Sequence, residues 1–162
     1  MIYEEDLNWT KANKKSVSET LIRFKRKKPK EVDELFHRLH NEVFEKTDCL
    51  KCANCCKTTS PIFRDVDIER LAKHLRIKSA QLIAKYLHLD SDGDYVLNFT
   101  PCPFLESDNY CSVYEYRPLA CKEYPHTNRK NIQQILKLTT RNTEICPAVS
   151  RIVQKILQKQ NI

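Results

Sequence analysis

Four cysteines stand close together in the segment CLKCANCC, with the spacing C-x2-C-x2-C-C: Cys49, Cys52, Cys55 and Cys56. An x2 spacing lets a tight loop turn two thiolates onto one ion while backbone N–H groups point at the sulfur atoms. Thiolate donors suit zinc, iron and iron–sulfur clusters, and spacing alone does not choose among these metals. The segment therefore predicts a zinc or iron site, in which the iron could be part of an iron–sulfur cluster.

Cys55 and Cys56 are adjacent in the chain, and neighbouring side chains tend to diverge. We therefore expect their sulfur atoms to serve different metal atoms, either two separate metals or different irons of one cluster. A zinc site would need four thiolates in a tetrahedron at about 2.3 Å from the ion. The adjacent pair favours more than one metal atom in the protein.

Four more cysteines come later, each at a constrained or charged place: Cys102, Cys111, Cys121 and Cys146. Cys102 lies between two prolines, and Cys146 precedes Pro147, a residue suited to the first turn of a helix. A helix N-terminus stabilises a thiolate, and Lys57 and Lys122 add positive charge beside other cysteines. We therefore expect lowered thiol pKa values. The alternative for each of the four is a buried cysteine that packs as a small apolar side chain.

Histidine could replace cysteine as a metal ligand at two places. His126 follows Cys121 by five positions, and His37 and His40 lie one turn apart on a predicted helix. A solvent-facing loop explains His126 more simply, and an ordinary helix surface explains the other two. No histidine is assigned as a ligand.

The composition of the 162 residues decides how the cysteines are interpreted. No apolar run is long enough to cross a membrane, and the acidic opening MIYEEDLNWTKANKK lacks the pattern of a signal peptide. We therefore expect a cytoplasmic protein without membrane contact. The reducing cytosol disfavours disulfides and leaves metal binding or catalysis as the usual reasons for many cysteines. Gly93 is the only glycine, so tight turns must rest on Asn, Asp and metal bonds.

The order CLKCANCC, CPFL, CSVYEYRPLACKEYP and a late CP resembles the YkgJ-like CxxCxxCC cysteine-cluster family of zinc- or iron-chelating domains, over roughly residues 45–150. The resemblance implies a role in metal chemistry for all eight cysteines, with Arg117 and Pro118 as structural companions. The family commonly has glycine after the second cysteine, where this chain has Ala53. Alanine tolerates a positive φ poorly, whereas the next residue, Asn54, tolerates it better.

The net charge of +7 is concentrated near the N-terminus. Residues 11–30 contain nine Lys and Arg against Glu19 alone, which gives +8, and they end in IRFKRKKPK. We predict a basic N-terminal arm over residues 1–30, followed by the zinc- or iron-chelating domain over residues 31–162. The arm could contact the phosphates of nucleic acid or a partner protein, and a solvated, mobile tail is the alternative.

Apolar periodicity predicts the elements that carry the cysteines. The predicted elements are helices over residues 31–46, from Asp65 to Leu75, from Ser79 to Leu87, from Pro118 to Pro125 and from Pro147 onward, and a strand over residues 94–99. Residues 132–140 fit either a strand or a helical turn. We predict an α+β fold, mainly α, in which metal holds irregular cysteine-rich loops beside a short β-sheet.

Three functions fit these features. The first is a metal-binding protein with a structural or metal-handling role, the second an iron–sulfur redox or transfer enzyme, and the third a zinc-stabilised nucleic-acid or protein adaptor that uses the basic arm. The sequence shows no Ser-His-Asp, paired-carboxylate or P-loop pattern, so no catalytic residue is assigned. We favour a metal-binding protein without catalysis and expect a monomer.

Overall fold

The computed structural model describes residues 3–160. Over this range the chain forms ten α-helices and two short β-strands: α1 (Glu4–Ala12), α2 (Lys14–Arg23), α3 (Pro29–Phe44), α4 (Cys49–Cys52), α5 (Asn54–Thr58), α6 (Asp65–Leu75), α7 (Ser79–Tyr86), β1 (Leu87–Leu89), β2 (Tyr95–Leu97), α8 (Leu119–Glu123), α9 (Leu136–Asn142) and α10 (Pro147–Gln160). This confirms the predicted α+β fold with mainly helical content. Residues 1, 2, 161 and 162, which the predicted arm and domain include, lie outside the described residues.

The chain divides into two compact units, which we call unit 1 and unit 2. Unit 1 contains the residues up to Cys52 and those from Pro125 onward, and unit 2 is the continuous stretch Ala53–Tyr124. Cys49, Cys52 and Cys146 belong to unit 1, and the other five cysteines belong to unit 2.

The core of unit 1 is formed by helices. On α3 the apolar stripe predicted for residues 31–46 is buried, with Val32, Phe36, Leu39 and Val43 at most 4% exposed. Pro29 stands in the first turn, where its missing N–H costs nothing. α10 begins at Pro147 as predicted and packs on α1 and α3. The two predicted amphipathic helices are therefore confirmed.

The structure corrects the predicted N-terminal arm. Residues 4–23 form α1 and α2, and a 3-10 turn follows over Phe24–Arg26. Val17, Leu21 and Phe24 are at most 1% exposed and belong to the core of unit 1. Their spacing of i, i+4 and i+7 places them on one face of a helix, and the many cations occupy the other faces. Burying each such side chain contributes about 1.5–3 kcal/mol towards ordering the segment.

The ambiguous stretch over residues 132–140 is helical. A 3-10 turn covers Ile132–Ile135 and leads directly into α9. The carboxylate of Asp33 on α3 accepts hydrogen bonds from the N–H groups of Asn131 and Ile132, at 2.8 and 3.0 Å. This contact caps the turn and ties it to α3 within unit 1.

Unit 2 contains α6, α7 and the two-stranded sheet. β1 and β2 pair antiparallel, with Leu87 opposite Leu97 and Leu89 opposite Tyr95. The predicted strand over residues 94–99 is thereby confirmed, whereas the predicted helix through Leu87 ends at Tyr86. Ile68, Leu71 and Leu82 on α6 and α7 form the core with these strands.

The helices α6 and α7 start at the predicted residues, Asp65 and Ser79. Their N-cap positions are the residues before these, Arg64 and Lys78. The N–H of Arg64 donates to the Asp67 carboxylate at 3.2 Å, and the N–H of Lys78 donates to Oε1 of Gln81 at 2.8 Å. In both helices a side chain in the first turn reaches back to the cap, which is half of a capping box.

Turns in this glycine-poor chain use other residues in the left-handed region. Besides Gly93, a positive φ occurs at Ala53, Arg76, Asn109, His126 and Asn131. The two asparagines follow the expectation that Asn would replace glycine. Ala53, Arg76 and His126 do not; Arg76 is the left-handed C-cap of α6, and Ala53 is the left-handed N-cap of α5.

Between β2 and α8, residues 98–118 of unit 2 contain one 3-10 turn at Tyr114–Tyr116 and otherwise irregular backbone. This is the irregular cysteine-rich region that the sequence predicted. No helix within the described residues is both long enough and apolar enough to cross a membrane.

Candidate metal centre

The CLKCANCC segment forms two short helices, α4 and α5, with Ala53 between them. Ala53 has φ +48° and ψ +18°, so the left-handed residue is the alanine and not Asn54. A left-handed conformation costs an L-residue about 1–2 kcal/mol. Before Ala53, the Asp48 carboxylate accepts hydrogen bonds from the N–H groups of Leu50 and Lys51, at 3.0 and 3.3 Å. The cysteines are therefore presented by capped single turns and not by an open loop.

Unit 2 brings together cysteines from four separate segments: Cys56, Cys102, Cys111 and Cys121. The N–H of Cys102 donates to the carbonyl of Cys56 at 2.8 Å, and the N–H of Leu105 donates to the carbonyl of Cys102 at 3.1 Å. Leu105 in turn forms an antiparallel bridge with Cys111. Cys121 lies in α8, where its N–H donates to the carbonyl of Pro118 at 3.0 Å.

Burial controls the acidity of three of these thiols. It raises the pKa of Cys102 to about 11 and that of Cys121 to about 12, and it also raises the pKa of Cys111. Negative charge on neighbouring cysteines adds to the effect: Cys121 is affected by Cys56, Cys102 and Cys111. Cys121 is therefore within electrostatic range of the other three thiols, which places the four in the same part of unit 2.

Cys56 is the exception, because its pKa is lowered to about 7. The largest cause is a hydrogen bond with Cys55, whose sulfur lies 4.0 Å away; burial opposes it, and the positive charges of Arg117 and Lys57 add to it. The two adjacent side chains therefore do not diverge as expected. Two sulfurs in a tetrahedral zinc site are about 3.8 Å apart, so the separation suits one shared metal atom as well as two irons of one cluster.

Arg117 supplies positive charge near these thiols through its guanidinium. Its guanidinium carbon lies 3.5 Å from the centroid of the Tyr114 ring, a cation–π contact. Its positive charge favours the thiolate form of Cys56, Cys111 and Cys121, although burial outweighs it at Cys111 and Cys121. Arg117 is therefore placed to offset part of the negative charge that four thiolates would carry.

A buried carboxylate on α6, which the sequence analysis did not single out, lies at the centre of an ion-pair network. Asp67 is 1% exposed, and its carboxylate accepts from Nε of Arg64 at 2.9 Å and from Nη2 of Arg70 at 2.7 Å. Burial alone would raise the pKa of Asp67, but the hydrogen bonds from both arginines and from the backbone hold it well below its usual range. Asp67 is thus ionised at neutral pH.

The Asp67 network reaches the segment that carries Arg117 and Cys121. The Asp67 carboxylate accepts from the N–H of Leu119 at 3.3 Å, and Nη2 of Arg70 also donates to the carbonyl of Arg117 at 2.9 Å. Both ends of the Arg117–Leu119 turn are thereby fixed to α6. A signal was present in the sequence: Asp67 is followed by Ile68 and Leu71 on the apolar side of the helix, with arginines three residues before and after it.

In unit 1, Cys146 precedes α10 and is influenced by Cys49 and Cys52 of α4. The predicted lowering of its pKa is wrong: burial raises the pKa of Cys146 to about 11, and the N–H groups of Val149 and Ala148 offset only part of this. Negative charge on Cys49 and Cys52 raises it further. The helix N-terminus does act in the predicted direction, but desolvation outweighs it.

The chemistry of the donor set fits zinc or iron. No disulfide joins cysteines in residues 3–160, and sulfur is the preferred donor for structural zinc and for iron–sulfur clusters. Within that range no three Cys, His, Asp or Glu side chains are grouped so that they could hold a metal ion as they stand. Metal binding would therefore draw the sulfur atoms closer together than the hydrogen-bonded arrangement holds them.

The histidines of α3 have other contacts. Nε2 of His37 lies 2.9 Å from the carbonyl of Arg129, and Nδ1 of His40 lies 2.7 Å from the hydroxyl of Thr127. Burial lowers the pKa of His40, and the charge of His37 adds to this. The simpler interpretation of this pair as ordinary helix residues therefore fits their contacts.

Comparison with known proteins gives one match. The model of the family described as "CxxCxxCC: Putative zinc- or iron-chelating domain" matches residues 48–147. No curated protein and no solved structure matches the chain. The matched range begins just before Cys49, ends just after Cys146 and so includes all eight cysteines. With well over half of its residues matched, the chain belongs to the CxxCxxCC family of zinc- or iron-chelating domains.

Proposed function

We propose that the protein binds zinc or iron through its eight cysteines, and that the metal acts as a structural crosslink in unit 2. The observation that carries the proposal is the shared neighbourhood of Cys56, Cys102, Cys111 and Cys121. These residues come from four separate segments, and a common metal centre accounts for thiols gathered at one place. Cys49, Cys52 and Cys146 form a second group, in unit 1.

A structural role is supported by the backbone around the four thiols. Residues 98–118 have little regular hydrogen bonding, and three of the four cysteines lie in or directly after this stretch. A bound metal supplies crosslinks between segments, and in such sites its binding energy is folding energy. The Asp67 network fixes the backbone of Arg117 and Leu119 at the end of this stretch. The metal would fix the segments that carry the cysteines.

Binding requires the thiols to lose their protons. The pKa values of Cys102 and Cys121 are raised to about 11 and about 12, so these groups are protonated near neutral pH without metal. Metal affinity should therefore fall as the pH falls, because protons compete with the metal. The hydrogen bond with Cys55 and the charges of Arg117 and Lys57 favour the thiolate form of Cys56, which is accordingly the first donor available to an incoming ion.

The first test is elemental analysis, together with a visible absorption spectrum, on protein purified without oxygen. Colourless protein with zinc bound in a fixed ratio supports the structural centre. Brown protein with iron and acid-labile sulfide would instead make iron–sulfur redox or transfer chemistry the leading function. Protein that carries no metal and takes up none on dialysis would refute the proposal.

A variant pair tests whether the unit 2 thiols hold the metal. Cys111→Ser removes one sulfur, and we expect a loss of bound metal. Ser112→Ala is the matched control, because it alters the next residue, whose hydroxyl donates to the carbonyl of Phe104 at 3.2 Å, without removing a thiol. Equal metal content in both variants would exclude Cys111 from the centre.

A cytoplasmic location agrees with this function. A thiolate metal centre needs reduced cysteines, and a reducing compartment such as the cytoplasm keeps thiols reduced. We therefore propose that the protein works in the cytoplasm, where its thiols remain available to metal. Fractionation of cells that express the full chain would test this location.

A further inference from the structure

A surface groove runs between α2 and α9 in unit 1. It has a volume of about 660 Å³, and its lining comes from residues 14–25 and 136–145. This volume falls within the range of about 300–1,000 Å³ that is usual for binding clefts. Lys14, Ser18, Leu21 and Ile22 line the groove from one stripe of α2, and Lys25 lines it from the 3-10 turn that follows. None of the cysteines lines the groove, so it is independent of the metal centre.

The floor of the groove is aliphatic. Leu21 and Leu136 are buried at its base, and Ile22 lines it while remaining 57% exposed. An isoleucine so exposed, beside buried leucines, offers apolar surface to a partner. No aromatic side chain is among the lining residues.

The rim of the groove is basic. Lys25, Lys137 and Arg141 line it, and at one end Lys14 is paired with Glu144 at 2.7 Å. Lys25 and Lys137 make no ion pair within residues 3–160. The rim therefore carries several cations around an apolar floor and only one carboxylate, which is already paired.

We propose that this groove binds an acidic amphipathic helix of a partner protein. The apolar stripe of such a helix would cover Ile22, and its flanking carboxylates would meet Lys25, Lys137 and Arg141. This is the helix-in-groove mode of recognition, in which apolar anchors supply affinity and complementary charge supplies orientation and speed of association.

Nucleic acid suits the groove less well. Single strands are usually held by aromatic stacking platforms, and the lining contains no aromatic residue. A duplex presents phosphates to a protein surface, and an aliphatic floor gives phosphates no partner. The combination of cations and aliphatic surface is matched by carboxylates and aliphatic side chains on one helix.

The test uses the full metal-bound chain and a fluorescein-labelled synthetic helical peptide. The peptide carries Leu at i, i+3, i+4 and i+7 and Glu at the flanking positions, and a second peptide has Lys in place of each Glu. In fluorescence anisotropy at low ionic strength, we expect the acidic peptide to bind at least about tenfold more tightly than the basic one. Equal binding of the two peptides would overturn the proposal.

Two variants locate the binding. The rim variant Lys25→Glu/Lys137→Glu should weaken binding of the acidic peptide about tenfold or more. The control variant Lys11→Glu/Lys73→Glu changes the net charge equally at exposed positions that do not line the groove, and it should leave binding within about twofold. Equal weakening by both variants would show that only overall charge matters and would overturn the proposal.

The floor is tested separately with Ile22→Ser, which we expect to weaken the acidic peptide while circular dichroism shows an unchanged fold. A labelled DNA duplex serves as the competing ligand. If the duplex binds, the rim variant abolishes that binding, and Ile22→Ser has no effect on the peptide, then the groove is a nucleic-acid contact and the proposal is wrong.

Discussion

Units 1 and 2 close their apolar cores in different ways. All thirteen buried core residues of unit 1 lie on helices or 3-10 turns. In unit 2, Phe63, Phe104 and Val113 are core residues outside any named helix or strand. Cys102 and Cys111 pack against that second core. In unit 2, these two cysteines thus lie in segments that lack the regular hydrogen bonds of helices and strands.

The difference shows how unit 2, which is small and has little regular secondary structure, could gain stability from a bound metal. A stretch of about 70 residues buries too little surface to be securely stable by itself, and such units commonly use metal or disulfides as staples. Unit 1 has long amphipathic helices and needs such a staple less. Stability, thiol acidity, ion pairing and backbone strain should therefore differ between the two units.

Removal of metal should have the largest effect. A structural zinc site contributes about 10–16 kcal/mol in apparent binding energy, so its loss should unfold the region it holds. After chelator treatment we expect residues 98–123 of unit 2 to lose protection from hydrogen exchange, measured by mass spectrometry. The amides of α3 and α10 in unit 1 should keep theirs. Equal loss of amide protection in both units would show that the two units do not differ in their dependence on metal.

Thiol alkylation should separate Cys56 from Cys146, the buried cysteine of the unit that keeps its fold without metal. The pKa of Cys56 is lowered to about 7, whereas that of Cys146 is raised to about 11. In metal-free protein at pH 7.5, Cys56 should react with iodoacetamide more than about a hundredfold faster than Cys146. Its rate should level off above its pKa, while that of Cys146 continues to rise with pH. Uniform rates, read by peptide mass spectrometry, would contradict this.

The buried carboxylate of unit 2 should matter more than its counterpart in unit 1. Asp67→Asn leaves Arg70 and the Leu119 N–H with a weakened acceptor, and we expect a loss of about 2–3 kcal/mol in the free energy of unfolding. Asp6, which accepts from Nε of Arg151 at 2.9 Å, is the unit 1 counterpart, and Asp6→Asn should cost about 1 kcal/mol or less. Urea unfolding of both variants measures the difference.

The same Asp67 variant should change the dependence of stability on pH. Because the folded pKa of Asp67 is lowered, its contribution is complete above the unfolded value of about 4 and is lost as the pH falls towards the folded value. Between pH 4 and pH 2 the original chain should therefore lose stability more steeply than Asp67→Asn. Parallel curves would show that the network does not depend on the charge of Asp67.

The smallest predicted effect concerns backbone strain at the start of unit 2. Ala53→Gly removes the cost of a left-handed alanine at φ +48°, and we expect a gain of about 0.5–1 kcal/mol. Ala84→Gly, at an exposed position in α7, makes the same change in a helix and should lose about 1 kcal/mol. Thermal melts that shift in the same direction for both variants would contradict the assignment of strain to Ala53.

The sequence predicted those parts of the fold that depend on local periodicity. The stripes of α3 and α10 are regular, so both helices were predicted, with Pro147 at the start of α10; α3 begins at Pro29, two residues before its predicted start. The helix α2 was missed because Val17, Leu21 and Phe24 are separated by many Lys and Arg residues. That composition is typical of a charged, solvated arm, which is what we predicted. β1 was missed because three residues directly after a helix carry too little periodicity to indicate a strand.

The candidate site was predictable in its residue types but not in its grouping. Spacing indicated metal chemistry for the cysteines, yet it did not show that Cys56 would lie with Cys121 or that Cys146 would lie with Cys49. Those associations depend on contacts between distant segments. The acidity of Cys146 was misjudged for the same reason, since burial is a property of the whole unit and outweighs the local helix terminus.

The division of the chain also sets an order of events during translation. Residues 53–124 leave the ribosome before residues 125–160, so unit 2 can gather all five of its cysteines while unit 1 is still incomplete. In that interval α3 lacks α10, and the side chains of Phe36 and Leu39 on the nascent chain are open to solvent or to a chaperone. Supply of metal at the ribosome exit would then decide whether the inserted segment is already folded when the last helix arrives to cover them.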